Sequence, residues 1–448
     1  MKKRFRLPIA VALSAVMMLS GCTLGHKADT TQEESVVESV VSEVEEPESV
    51  VESVPESEPE SVPEAEPEVV ETEPIPEGMV KSTITGEYVT PEVGQTRAVS
   101  FMIDNSKAAD PQSGLSRAKI IYEAPVEGSY TRMCATFEEF SDLPRIGPLR
   151  SCRDYFLSLT AGLDRLFVHY GQAAYALPYL ESDDVDNLSG LLGSTYGCFY
   201  RDSTFHTGEH SAYIGYEGVQ KAIDIRGYRR TYNEDHQPMY KFAWVGDEIT
   251  NEGGQDAAYV EPGYFYNTPT FTYNPDDKHY YRNQFGRAHV DAENGQQLWT
   301  DNIILEYQNY DIYQRLTIDH PVYLHFDTTA GGRGKYITRG KAIDIRWERP
   351  SFWEPVKYYD MDGNELTINT GITWVLLIQN EFLGKCLIGA DQASATCIEN
   401  EEFVANAEQY NADWKAAYEN NEPNYLHIMA EERDQAVASH GGQSKVEG

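Results

Sequence analysis

Three arginines surround one glycine–proline turn in the string RIGPLRSCRDYF: Arg145, Arg150 and Arg153. Ser151 stands where an N-cap would open a helix, so free backbone N–H groups and the helix dipole would add to the forked guanidinium donors. That combination suits an anion, such as a phosphate, carboxylate or uronate of an envelope polymer. The competing expectation is structural, with each arginine neutralised by a buried carboxylate such as Glu123 or Glu127. Arg132, close in sequence to Glu127, adds charge of both signs and fits either reading, and Arg201 is a further candidate for binding the anion.

Acid–base chemistry has a second set of candidates. Asp104, Asp202, His169 and His210 are the catalytic candidates, with His206 and Glu209 beside them in sequence. His206 and His210 are spaced to share one helical face, but Thr207-Gly208 between them disfavours a regular helix. No HExxH-like string is present, so neither a metal site nor a cofactor is expected. Serine chemistry fares worse. No G-x-S-x-G elbow occurs, and Ser116-Arg117-Ala118-Lys119 runs into an expected strand, where the hydroxyl and amine would point to opposite faces. The aromatics Tyr259, Tyr264, Tyr266, Trp299, Trp347 and Trp353 could stack on sugar rings, although simple alternation along strands sends about half of such residues into a core.

These side chains must be positioned by the elements between them. Ala98–Ile103, Ala118–Glu123, Thr131–Phe140 and Leu166–His169 read as strands, and Ser151–Leu163 has helical apolar spacing. From about Tyr259 the texture is β-like, with aromatic–polar alternation at 263–273 and 278–281. Further strands are expected at 303–307, 322–326, 342–347, 356–359 and 373–378, and Asp360-Met361-Asp362-Gly363-Asn364 is a tight hairpin signal. The class is α+β: a mixed α/β domain over 81–235, a mainly antiparallel β domain over 236–380, and a polar extension over 381–448. The string KAIDIR occurs at Lys221–Arg226 and again at Lys341–Arg346, in different surroundings that do not make a repeat.

The N-terminal 80 residues place the whole. Lys2, Lys3, Arg4 and Arg6 precede an apolar run from Leu7 to Leu19, too short to span a bilayer, and Leu19-Ser20-Gly21-Cys22 reads as a lipobox. Cleavage would expose Cys22 as the acylated residue, tying the chain to the outer face of a cytoplasmic membrane. Residues 28–80 hold 18 acidic groups and no Lys or Arg, in Glu-Ser-Val and Glu-Pro patterns that cannot offset the entropy of ordering; residues 23–80 are expected to form an extended tether. Of the net charge of −36, −23 belongs to residues 81–448, which excludes the basic footprint of a nucleic-acid binder. Five cysteines remain after Cys22: Cys134, in a β-like run, is expected to be buried, Cys386 and Cys397 are near enough in sequence to pair, and Cys152 between Arg150 and Arg153 has cations that would lower its pKa.

Several strings stand together in one order: MIDN at 102–105, QSGLS at 112–116, YEAPVEGSYTR at 122–132, RIGPLRSCRDYF at 145–156, VHYGQ at 168–172, Arg201-Asp202, and HSAY at 210–213. This resembles the YerB-type lipoprotein family, whose folded part is a DUF3048-like domain of unknown function in two halves. GRGKYITRGKAIDIRW at 332–347 and YYDMDGNELTINTGITW at 358–374 resemble its second half. In the family pattern Asn often follows the His of HSAY, where this chain has Ser211. The resemblance implies an envelope location and a two-part fold, and no reaction. The function expected is a lipoprotein that binds an envelope polymer or protein partner through its arginines; the alternative is an enzyme acting on a cell-wall or anionic glycan substrate.

Overall fold

The computed structural model describes residues 73–313, 323–407 and 409. The lipobox, Cys22 and most of the expected tether lie outside them. The described residues form one compact unit. Residues 73–80, acidic like the arm before them, are already tied to it: Glu73 pairs with Lys81 and accepts from the Val245 amide at 2.6 Å and the Tyr88 hydroxyl at 2.9 Å.

The class is α+β. Among the described residues the largest sheet has 11 strands. Its first half is built from β1 (Val99–Asp104), β2 (Ile120–Pro125), β3 (Thr131–Phe137), β4 (Leu166–His169) and β5 (Asn187–Ser189), in the order β2-β3-β1-β4-β5. A second, seven-stranded sheet includes β6 (Tyr259–Glu261), β7 (Thr270–Asn274) and β8 (His279–Gln284). The large sheet then continues through β9 (Asn302–Gln308), β10 (Gly332–Thr338), β11 (Lys341–Glu348) and β12 (Thr373–Gln379), ordered β11-β10-β9-β12. Parallel pairing of β12 with β2, Thr373 opposite Ile120, joins the two halves into one surface. Residues 381–407 belong to the fold: Leu387–Gly389 pairs with β6, and Phe403 and Val404 pack against the core.

The period-2 rule explains how this sheet fills two cores. Phe101 and Ile103 of β1 enter one, with Ile303, Leu305, Trp374 and the second sheet's Val260, Phe271 and Tyr280. Met102 enters the other, with Tyr122, Val375, Leu377 and the helix α1 (Asp154–Leu159), which contributes Tyr155, Phe156, Leu157 and Leu159. The helix α2 (Tyr216–Arg226) covers the first core through Val219, Ala222 and Ile223 and stops at Gly227, whose φ of 69° takes the left-handed C-terminal position. Because β1 is parallel to β4, and β4 to β5, while β3 is antiparallel to both β1 and β2, the strands β1, β2, β4, β5, β9 and β12 all run one way. Their carboxyl ends, at Asp104, Pro125, His169, Ser189, Gln308 and Gln379, define one edge of the sheet.

Two local expectations are corrected. The N-cap of α1 is Arg153, with no side-chain cap bond, rather than Ser151. The helix is six residues long with Asp154 in its first turn, so its dipole offers an anion little.

Candidate functional site

The RIGPLR turn is pinned against the carboxyl end of β1. The Asp104 amide donates to Pro148 O at 2.9 Å and the Arg150 amide to Met102 O at 3.0 Å, which sets Arg150 beside Asp104. Gly147 has a φ of 142°, and a Cβ there would lie 2.9 Å from both Ala212 O and the Leu149 amide, so only glycine fits. The same turn holds the 210–214 segment, through Leu149 N–H to Ala212 O at 2.7 Å and Ile146 N–H to Ile214 O at 2.7 Å. His210 is thereby delivered to the same edge.

Here the sequence candidates partly converge. Asp104 Oδ2 lies 2.7 Å from His210 Nδ1 and 3.3 Å from Arg150 Nε, and its Oδ1 accepts from the Ser106 amide at 2.9 Å. A proton on Nδ1 facing the carboxylate leaves the Nε2 lone pair outward, with Glu209 Oε1 3.7 Å away. Arg150 also donates to Glu209 Oε2 at 2.8 Å. Arg153 makes a two-pronged pair with Glu127, at 2.9 and 2.5 Å. Arg132, across the ladder from Asp104, is 8 % exposed; among the described residues no carboxylate lies within ion-pair distance of it and its side chain donates to Ser151 O. Burial, with Arg153 and Arg150 near, pulls its pKa down to about 9.

The other candidates lie elsewhere. Asp202 accepts from Arg145 at 2.9 Å and from Thr204, bonds that hold its pKa low, and Arg145 also pairs with Glu293 at 2.7 Å and covers the Phe205 ring. Arg201 braces the loop carrying His210, donating to Gly208 O at 2.8 Å and to Ser211 Oγ at 3.3 Å. His169 is buried, 2.7 Å from Gly171 O and 3.2 Å from Asn187 Oδ1, and burial lowers its pKa, so it is a core residue turned away from this edge's open side chains. His206 meets Pro111 O at 3.1 Å. Among the described residues no cluster of three or more His, Cys, Asp or Glu is arranged to hold a metal ion. Cys152 is corrected: burial raises its thiol pKa well above the ordinary value and outweighs the neighbouring arginines. Cys134, Cys386 and Cys397 are also free, and Ser116 donates to Asp291 at 2.7 Å, a structural bond. Of the aromatic candidates, Tyr259, Tyr264 and Trp347 are buried.

Sequence reading missed what supports this edge. Glu123 and Arg282 form a fully buried pair at 2.9 Å that joins β2 to β8. Glu123 Oε1 also accepts from Asn105 at 3.0 Å, Thr131 at 2.9 Å and Asn267 at 2.9 Å. Arg282 donates to His289 Nδ1; the His289 Nε2–H then meets Gln112 Oε1 at 2.6 Å, and Gln112 donates to Asp104 O at 2.9 Å. His289 is neutral because burial and Arg282 push its pKa far down. One signal existed: β8 alternates, and putting Tyr280 inward puts Arg282 inward as well.

Comparison with known proteins places this geometry in a family. The DUF3048 N-terminal domain, described as a protein of unknown function, matches residues 84–229, and the DUF3048 C-terminal domain matches 260–375. A candidate lipoprotein, YerB, of Bacillus subtilis (strain 168) is 30% identical over 301 residues, spanning 67% of this chain and 86% of that protein. The crystal structure of Bacillus subtilis YerB superposes with a TM-score of 0.58 at 27% identity, covering 71% of this chain and 99% of the other.

Proposed function

The chain belongs to the YerB-type family of paired DUF3048 domains, and from that premise we propose a membrane-anchored extracytoplasmic lipoprotein that binds an anionic group of an envelope component at Arg132, Arg150 and Arg153. Acylated Cys22 would be the anchor; among the described residues no helix is long and apolar enough to cross a membrane. The observation that carries the binding reading is Arg132, a buried guanidinium with a carbonyl partner and, among the described residues, no carboxylate. A charge desolvated in that way gains most from an incoming anion. Arg132, Arg150 and Arg153 face three carboxylates, Asp104, Glu127 and Glu209, so shape decides the outcome. The Glu209 side chain is 67% exposed, and its displacement by a ligand would leave Arg150 with Asp104 as its remaining carboxylate.

The test uses the mature chain carrying Cys22→Ser, which has no acyl group, with inorganic phosphate and acidic wall polymer as probes in calorimetry and retention. Arg132→Gln is expected to weaken both by about tenfold or more, the effect of a lost hydrogen bond between charged groups. Undiminished binding by Arg132→Gln rules the site out. A second reading, an enzyme acting on a cell-wall or anionic glycan substrate, is favoured by one contact, Asp104 Oδ2 to His210 Nδ1 at 2.7 Å. A carboxylate there orients the imidazole and leaves Nε2 to take a proton from water or a hydroxyl. Product release from wall fractions that disappears in His210→Ala supports it; no release at any pH removes it.

A further inference from the structure

We infer that a cleft at the opposite edge of the large sheet binds a zwitterionic ligand, an amino acid or short peptide whose free carboxylate meets Arg165 and whose ammonium groups meet Asp183 and Asp184. The cleft lies outside the amino ends of β1, β4 and β5, roughly a 20 Å strand length from Asp104. Arg97 stands two residues before β1, Arg165 directly before β4 and Asp186 directly before β5. Because these strands are parallel neighbours, their entry loops bring charged side chains together along one line. Gly227 and Tyr228, where α2 ends, line it as well, as does Trp353. Its volume of about 640 Å³ is in the usual range of small-ligand sites.

Most of the charge in this cleft is engaged in the fold itself. Arg97, 4% exposed, pairs with Asp186 at 2.6 Å and donates to the carbonyls of Asp164, Arg165 and Arg229 at 2.8, 3.3 and 3.3 Å. Arg229 holds both carboxylate oxygens of Asp164. What remains is one cation and two anions. Arg165 is 3% exposed, its Nε donating to Thr160 Oγ1 at 3.0 Å and its Nη2 to Leu157 O at 3.1 Å. Among the described residues no carboxylate lies within ion-pair distance of it, and its Nη1 has no partner. Burial pulls its pKa down to about 10, the mark of a charge its surroundings do not fully compensate. Asp183 and Asp184, in the loop that leads into β5, are exposed and have no cationic partner among the described residues.

Charge complementarity selects the ligand class. A phosphate or an acidic polymer would be drawn to Arg165 and repelled by Asp183 and Asp184, and a bare cation would meet the reverse conflict. One carboxylate matches the single uncompensated guanidinium, through a hydrogen bond between charged groups in a partly desolvated setting. One or two ammonium groups match the aspartates. Trp353 packs edge-on against Phe352 at 4.7 Å and Tyr179 at 5.9 Å, which fixes an apolar wall for the aliphatic part between the charges. A dipeptide of alanine and lysine carries all of these groups.

The experiment titrates the mature Cys22→Ser chain calorimetrically with alanyl-lysine, its C-terminal amide, its form acetylated on both amines, and magnesium chloride. The free dipeptide is expected to bind, and amidation or acetylation each to weaken it by about tenfold or more, the effect of a lost hydrogen bond between charged groups. Asp183→Asn combined with Asp184→Asn, at exposed positions, should erase the preference over the acetylated form, and Arg165→Met the preference over the amide. Because Arg165 is buried, Trp353→Ala supplies a second readout: every form should lose several-fold in affinity with the ranking kept. Equal binding of acid and amide by the parent overturns the inference, and so do preferences that persist in the arginine and aspartate variants, which put the dipeptide elsewhere. Magnesium that binds more tightly than the dipeptide and is lost in the aspartate variant overturns it in favour of a cation site. No binding of any probe overturns it while the proposed anion site at Arg132 stands.

Discussion

Arg282→Met is the most informative perturbation of this fold, because the Glu123–Arg282 pair is fully buried and joins the two family halves. The variant roughly keeps the side-chain volume and leaves the buried Glu123 carboxyl group with three neutral donors, Asn105, Thr131 and Asn267. Those bonds offset part of the lost partner, so the expected cost is about 3–5 kcal/mol, the usual effect of orphaning a buried charge. Glu123→Gln orphans the guanidinium instead, against His289 and Gln284, and should cost a similar amount. The double variant carries no unpaired charge, so its loss should fall short of the two single losses together by about 2 kcal/mol or more. Urea unfolding followed by far-UV circular dichroism measures all three, with calorimetry checking that a single transition remains. Because Asn105 and Thr131 flank Asp104 and Arg132, Arg282→Met should also weaken phosphate binding. Strictly additive losses, or a single-variant loss below about 1 kcal/mol, would refute the claim that the pair locks the halves together.

Burial and close approach elsewhere in the fold set further outcomes. Asp311 is buried with its pKa raised to about 7, mainly by desolvation, so its protonated form favours the native state. Stability on its account is present at low pH and is lost as pH rises from about 4 to 7; Asp311→Asn should therefore gain on the order of 2 kcal/mol relative to the parent at pH 8 and little at pH 4, by thermal unfolding at the two pH values. The Cys152 thiol should resist alkylation in the native protein and react only after denaturation, as mass spectrometry would read. Gly147→Ala should destabilise by roughly 2–3 kcal/mol and weaken anion binding as well, since the turn it strains positions Arg150; intact stability in chemical denaturation would contradict the close approach to Ala212.

Much of the site could be read residue by residue. Arg132, Arg150, Arg153, Asp104 and His210 stand in short strings whose types announce charge recognition or proton transfer. Their grouping could not be read. Arg145 shares a turn with Arg150 yet pairs with Asp202 and Glu293, while His210 reaches Asp104 through hydrogen bonds made by the backbone of the turn between them. Nor does a helix N-terminus back the proposed anion site, as Ser151 suggests: the side chains of two strand ends and a loop meet there.

The six residues KAIDIR show the division most clearly. At Lys221–Arg226 they end the helix α2, with Ala222 and Ile223 turned to a core; at Lys341–Arg346 they begin the strand β11, with Ala342 and Ile345 buried and Ile343 between them half-buried. The sequence by itself determines that this segment has apolar groups to bury and charges to keep wet, as its composition and residue patterns determine the acidic arm, the strand-rich second half and the α+β class. Whether those apolar groups are presented every third or fourth residue or every second one depends on the surface available to cover them. In this protein that surface is a single sheet shared by both halves, and it exists only once β12 has paired with β2.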